Sequence, residues 1–552
     1  MSVYAEADFT LIRRGAGLCT SAASTPRKMM PTQDLFVAVC LSVILSAGCG
    51  GGSSPPPPPP PPATLTITTT SLPDWMATFP YMQTVTATGG VAPFAWTVKS
   101  GVLPQGLSLG ATSANSVMIS GVPDLPDAET FSLQVTDASS QAAIQQYTLT
   151  IKPTARVELV EVGDLGAGTI EIQGVDAGPF NPVAWQQNTL NWVPDVRTPM
   201  LASLPGVWQN IYSPWPLEQP NGWRLFYGGW DGTDTPNDRV YSGTTSDFLT
   251  FENRALVIDH GAFQHVNNVN VRQLNDGSLH MICTVLEEPE DLDKPAYFSS
   301  PDGVSWNGSA PPYSAQLSDV VSVPNDLNYA DWDFNGGNVL LWDNNSWTLY
   351  YSVGVFSGFG GIFRATSPSP PVFQKTGEIS SSVHYANDVE RFQVGEKNWY
   401  VMLLYIEEVT SGTVPPPTFR YSLSNDGLTF GSEQLLFGGA SSGDQFPVTP
   451  AMVTKGNQVL GVLYGSNGID LLSATDSIFA RWLQKKVVIM DSSGAPIPAQ
   501  GGYGPSRQWF PAPQSGSLQG TITVFAEDGI TPLGKGTVTL SGGKAYQLTV
   551  SN

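Results

Sequence analysis

The chain is predicted to be all-β: an Ig-like β-sandwich, then a five-bladed β-propeller, then a short C-terminal β extension. Three observations predict it. One pattern of short strands returns five times between residues 223 and 482. Glycine (56) and proline (46) are frequent, only 13% of residues are charged, and long amphipathic helical patterns are scarce. Period-two strands fill residues 64–153 and return in 491–552.

Each repeat contains an aromatic-rich apolar run: WRLFYGGW from Trp223, SLHMICTV from Ser278, SWTLYYSV from Ser346, NWYVMLLY from Asn398 and QVLGVLYG from Gln458. A further strand follows and ends in a Ser/Asp turn with Phe or Trp, as in Ser300–Trp306 and Ser424–Phe430. A repeat of roughly 50–70 residues built only of short strands means a radial array of small sheets. With the aromatic runs as second strands, the innermost strands fall at Tyr212–Gln219, Asn268–Leu274, Gly337–Trp342, Asp388–Val394 and Thr449–Thr454. In the turns, Ser and Asp bond local amides while the aromatic ring fills space between blades.

Strand alternation places the connections entering each inner strand and those leaving each second strand on one face. The entering connections hold His260, His265, Asn267, Asn268, Asp331, Asp333, His384, Asp388 and Asp444. The leaving ones hold Trp230, Asp231, Asp234, Asp238, Glu288, Glu290, Asp291, Asp293, Glu407 and Glu408. The opposite face has short hairpin turns such as Pro220-Asn221-Gly222 and Asn275-Asp276-Gly277, with little chemistry. The first face reads as functional and the second as structural.

The N-terminus reads as an address. Arg27 and Lys28 precede the apolar stretch Leu35–Leu45, which is too short for an ordinary membrane span. Leu45-Ser46-Ala47-Gly48-Cys49 and the Gly/Ser tail after it resemble a bacterial lipobox, with Ser46 at a place where Leu is commoner. The resemblance implies cleavage before Cys49 (a signal over 1–48), lipidation of its thiol, and an exported protein anchored to the membrane by that lipid alone. The stretch before Arg27 exceeds what a signal needs, which leaves the start at Met1 or downstream. Pro55–Pro62, within the 49–63 linker, form a stiff polyproline spacer of about 3.1 Å per residue. Residues 64–153, with phrases such as Gly89-Gly90-Val91-Ala92-Pro93-Phe94 and Ile119-Ser120-Gly121-Val122-Pro123, resemble the Ig-like (cadherin-like) modules of bacterial surface proteins. Such modules serve as spacers or contact domains. Of the cysteines left after cleavage, Cys283 lies in an apolar run and reads as a core thiol. No disulfide framework is available.

The formal charge of −22 argues against nucleic acid or an anionic bilayer as electrostatic partner. A soluble monomer with neutral or cation-bridged ligands fits it.

Residues 157–490 are assigned to the propeller, with 491–552 as an extension, a cap or the closure of the ring. The aromatic runs together with turns such as SSPDGVSW and SNDGLTF resemble the five-bladed propeller glycosidases: arabinanases, xylosidases, invertases, levansucrases and related phosphorylases. The resemblance implies three carboxylates at the top of the innermost strands, two of them flanking the scissile bond. This chain departs from the pattern. Ser213-Pro214 stands where the family has Asp-Pro, and the second blade offers Asn268. The catalytic candidates are therefore Asp388, Glu390, Asp331 and Asp238. Trp230, Trp332, His265, Asn268 and His384 are candidates for holding an oligo- or polysaccharide. No zinc-ligand spacing is present, and the acidic rim has the composition that calcium favours. The turns are also similar to the Asp boxes of six-bladed sialidases, but Asp and Gly are adjacent here and an arginine triad is lacking. Two functions stay open: glycoside hydrolysis (or related transfer or phosphorolysis), and glycan binding on a scaffold without catalysis.

Overall fold

The computed structural model describes residues 63–551 except 114, 167, 205–208, 231–236, 288–291, 335–336, 354–359, 381–383, 406–417, 439–446, 468–475 and 514–515. Cys49, the polyproline run and the rim acids Asp231, Asp234, Glu288, Glu290, Asp291, Glu407, Glu408 and Asp444 lie outside the described residues.

Residues 66–152 form two four-stranded sheets around one core. The strand Tyr81–Thr88 alternates buried and exposed positions, so each sheet turns one face to Val85, Ile119, Leu133 and Leu149 and the other to solvent.

The repeats obey a different rule. Five sheets follow one another, with inner strands Asn210–Gln219, Val266–Gln273, Asn338–Asp343, Tyr385–Val394 and Val448–Lys455. Each inner strand packs against the next, and the fifth returns to the first. Between consecutive sheets lies a separate apolar core. Trp215, Phe226 and Phe298 join sheets one and two, and Leu349 and Phe363 lie between two and three. Tyr350 and Met402 join three and four, Leu403 and Tyr464 four and five, and Tyr227 and Trp482 five and one. A sheet so enclosed is covered on both faces, which explains why the second strands read as unbroken apolar runs rather than alternations. Ser346–Val353, for example, is buried at every position but the first.

The Ser/Asp turns serve the packing between sheets. Asp302 Oδ1 accepts from the Val304 and Ser305 amides at 2.8 Å, and Asp426 Oδ1 from Leu428 and Thr429 at 2.8 and 2.7 Å. The Ser305 hydroxyl, donating to Asp302 Oδ2 at 2.7 Å, and then the amides hold Asp302 below the usual range, and the amides do the same for Asp426. The turn glycines, both at positive φ, then expose a carbonyl to the preceding sheet. Arg224 donates to Gly303 O at 2.5 Å, and the Tyr350 hydroxyl to Gly427 O at 2.8 Å.

Three features depart from a plain ring of repeats. The second sheet has three strands, where the third, fourth and fifth have four. The chain after it instead lends Tyr313–Ser314 to the edge of sheet one, where Asp319 accepts from the Tyr313 hydroxyl and the Gln316 amide and Pro311 and Pro312 supply no ladder donors. The ring is closed not by the C-terminal strands but by Trp192–Pro194, which pairs with Ser477–Leu483 as the outermost strand of sheet five. Finally, Arg156–Asp164 and Thr169–Gln173, assigned above to the propeller span 157–490, pair with Lys544–Ser551. Together with the other strands of 486–551 they make one nine-stranded sheet, so the extension is built from both ends of the ring.

Asp195 ties that sheet to the ring. It is 3% exposed, its Oδ2 accepts from Trp482 Nε1 at 2.7 Å and the Gly504 amide at 3.1 Å, and Arg197 bonds both of its oxygens. Removing one partner of a buried ion pair costs about 3–5 kcal/mol. Asp195→Ala should lower the unfolding free energy by about that amount in urea melts. A loss under about 1 kcal/mol would show that the junction is not under load.

Candidate functional site

The inner strands begin at one end of the ring, beside the ends of the second strands: Asn210 pairs with Trp230, Val266 with Val285, Tyr385 with Tyr405. The long connections gather at this end, and the hairpins at the other.

Near the loop end the inner strands are kinked. Register slips occur at Tyr212/Trp215, Asn267/Asn270, Ala386/Asp388 and Val448/Ala451. Ser213, Asn268 and Thr449 there adopt φ of 50°, 51° and 50°. The kinks free amides from the ladder, and polar side chains of neighbouring sheets take them up. Thr449 Oγ1 accepts from Ser213 N at 2.9 Å, and Ser213 Oγ from Val269 N at 3.0 Å. Asn270 Oδ1 accepts from Leu340 N at 3.1 Å, Ser352 Oγ from Ala386 N at 3.0 Å, and Asp388 Oδ2 from Met452 N at 2.7 Å. Each of the five junctions thus has one side-chain acceptor.

This arrangement decides what Asp388 does. It is wholly buried, and burial pushes its carboxyl well above the usual range. The nearby Glu390 carboxylate adds to that, while Arg272, 3.5 Å away, opposes it. Arg272 rises from sheet two, bonds Leu340 O at 2.7 Å, Val389 O at 2.9 Å and Glu390 at 2.5 Å, and lies over the Trp215 ring. It therefore touches four of the five sheets. Asp388 and Glu390 both lean on it, but neither reaches the loop-end cluster through any bond among the described residues.

That cluster centres on Tyr212. Its hydroxyl donates to Asp238 Oδ2 at 2.7 Å and accepts from Asn267 Nδ2 at 2.7 Å. Asp238 as a residue is half-buried but its carboxyl is enclosed. Burial raises it above the usual range, against the pull of the Tyr212 and Asn267 hydrogen bonds and the charges of His265 and Arg239. Burial, then the Asp238 charge, pushes the Tyr212 phenol well up. His265 Nε2 meets Asp293 Oδ1 at 3.0 Å. Asp476 adds its charge near Tyr212 and accepts from Asn467 Nδ2 at 2.5 Å. Asn267 and Asn268, 7% and 8% exposed, each carry a buried amide oxygen with no hydrogen-bond partner, so this end holds polar groups whose bonding capacity the fold does not use.

The other candidates make contacts of their own. Asp331 is exposed on a short turn, and Asp333 accepts from the Asp293 amide at 3.0 Å. Trp332 stacks on Phe363, 5.1 Å between centroids, with Lys375 5.3 Å above its ring. Lys294 of sheet two fixes the segment by bonding the carbonyls of Tyr329, Ala330 and Trp332 at 3.0, 3.0 and 2.5 Å. His384 pairs with Glu433 at 2.9 Å. Trp230 closes the second strand of sheet one, its carbonyl accepting from Gln209 N at 2.7 Å. Among the described residues no three His, Cys, Asp or Glu side chains are grouped to hold a metal ion. Cys283 is buried, and its thiol is pushed well up by burial.

Sequence reasoning passed over Tyr212 and Arg272. The signal for Arg272 was present: one cation in the otherwise uncharged strand VNNVNVRQ.

No protein-family model matches the chain, and no curated protein is similar to it in sequence. Among solved structures, the catalytic domain of a GH62 α-L-arabinofuranosidase from Coprinopsis cinerea is 13% identical, covering 53% of this chain and 97% of that one, with a TM-score of 0.39. An α-L-arabinofuranosidase from Podospora anserina, solved with cellotriose, is 11% identical over 53% and 96%, TM-score 0.37. A glycosyl hydrolase from Bacteroides ovatus is 12% identical over 56% and 97%, TM-score 0.38. Likenesses of this size leave activity to be argued from the chain's own geometry.

The raised Asp388 carboxyl has a measurable sign. Its folded pKa lies above the ordinary value of about 3.9, so its ionised form is the disfavoured one. Its contribution therefore grows as pH falls through the folded pKa and levels off below the unfolded value. Asp388→Asn keeps an acceptor for Met452 N, and the melting-temperature difference between wild type and variant should shift in favour of wild type as pH is lowered toward the ordinary carboxylate range. A difference independent of pH would refute the buried-acid assignment.

Proposed function

We propose that this chain is a carbohydrate-acting protein built on a five-bladed, glycosidase-like propeller, working at the loop end with Asp238 as its acid. The enclosed carboxyl of Asp238 beside Tyr212 carries this reading. A carboxyl raised by burial keeps its proton to higher pH than a free one, which is the direction a general acid needs. Tyr212 and Asn267 fix its orientation. The partner carboxylate that hydrolysis needs is sought first in Asp476 and Asp293, which share Tyr212 and His265 with it.

A second reading is glycan binding without turnover. Ser213 and Asn268 favour it, since they fill the kinks of the first two inner strands with groups that neither titrate nor attack, and the Ser213 hydroxyl is committed to Val269 N.

In either case the module at 64–153 is read as an Ig-like spacer and Cys49 as the lipid-bearing residue of an exported chain. Metabolic labelling with a radioactive fatty acid, lost in Cys49→Ala, would support that anchoring.

The enzymatic reading is tested by assaying arabino-, xylo- and manno-oligosaccharides. Asp238→Asn should lower kcat/KM by about 100-fold or more while leaving binding within a few-fold. Binding by wild type without turnover on any of them would leave the second reading standing. Failure of wild type to bind any would remove both.

A further inference from the structure

The hairpin end, read from sequence as structural only, holds a cavity of about 680 Å³ where the inner strands leave the ring. We propose that it is a second binding site, for a neutral polyhydroxylated molecule of mono- or disaccharide size. This inference does not depend on the loop-end reading.

The volume lies inside the range of about 300–1,000 Å³ usual for small-molecule sites. The lining charges cancel, with Glu218 and Glu390 set against Arg272 and Lys455, so the site offers no net attraction to an ion. What remains is hydrogen-bonding capacity. Glu390, on a rigid inner strand, presents a carboxylate held in place by Arg272, whose own position is set by Leu340 O and Val389 O. Gln219 and Gln273 reach across from adjacent sheets and meet at 3.2 Å. A ligand therefore meets a carboxylate that Arg272 already holds in place, which reduces the entropy lost on binding, beside amides that can turn to it. Trp215 and Trp223 also line the site but are 3% and 6% exposed, so recognition rests on hydrogen bonds rather than on stacking.

The two ends are chemically separate. The cavity is lined by Arg272 and Glu390 but by none of Tyr212, Asp238, Asn267 or Asn268. Arg272 reaches from sheet two to the inner strands of sheets three and four, and Asp388 beside it is wholly buried. Glu390 thereby gains a role other than partner to a loop-end acid.

The test is saturation-transfer NMR and calorimetry on the full chain with arabinose, xylose, mannose and their disaccharides. At least one should bind, and both Glu390→Gln and Gln273→Ala should weaken that binding by about tenfold or more. Gln273 is exposed and its truncation leaves the fold intact, which guards against a misfolded Glu390 variant. The proposal is overturned if none of these sugars binds, or if binding survives both hairpin-end substitutions.

Discussion

The structure depends on how five diverging inner strands satisfy amides that no neighbouring strand can reach. Sheets fanned around an axis cannot continue a ladder from one to the next, yet their innermost edges are buried, where an unpaired amide is costly. Thr449, Ser213, Asn270, Ser352 and Asp388 solve this with one short side chain per junction. The kinks at Ser213, Asn268 and Thr449 bring backbone and side chain into register for it. The same residues stand where a catalytic set would be sought, so polar chemistry at these positions is divided between holding the ring together and facing a ligand.

That division explains which parts were legible in the sequence. The inner and second strands were readable because burial on both faces leaves an apolar run that turns interrupt at a fixed period. The Ser/Asp turns were readable because their bonds are local. The nine-stranded sheet was not, since Arg156–Asp164 finds its partner, Lys544–Ser551, across nearly the whole chain, and no local pattern carries that pairing. Nor was the closure by Trp192–Pro194, three residues long and dependent on the fifth sheet to become a strand.

At the site the same limit applies in a sharper form. The sequence put acids and histidines on the connections of one face but could not tell an acid that faces the ligand from one that serves the scaffold. Asp388 lies near the start of an inner strand as a catalytic acid would, but it is wholly buried and one of its oxygens is committed to Met452 N. Trp332 sits between two aspartates as a sugar platform would, and its ring is stacked on Phe363. Asp238 differs through Tyr212, 26 residues earlier in the chain, and that pairing exists only once sheet one has folded.

The sheet built from both ends of the ring has a mechanical consequence. Tension entering through the N-terminal module arrives first at Arg156–Asp164, which is zipped along its length to Lys544–Ser551. Phe79 of that module also rests against Phe525 of the same sheet. A pull on the chain therefore meets the nine-stranded sheet before it can reach Trp192–Pro194, the short strand on which the ring's closure depends. The ring behaves as an insertion suspended between clamped ends, and its geometry is insulated from whatever strains the leading segment.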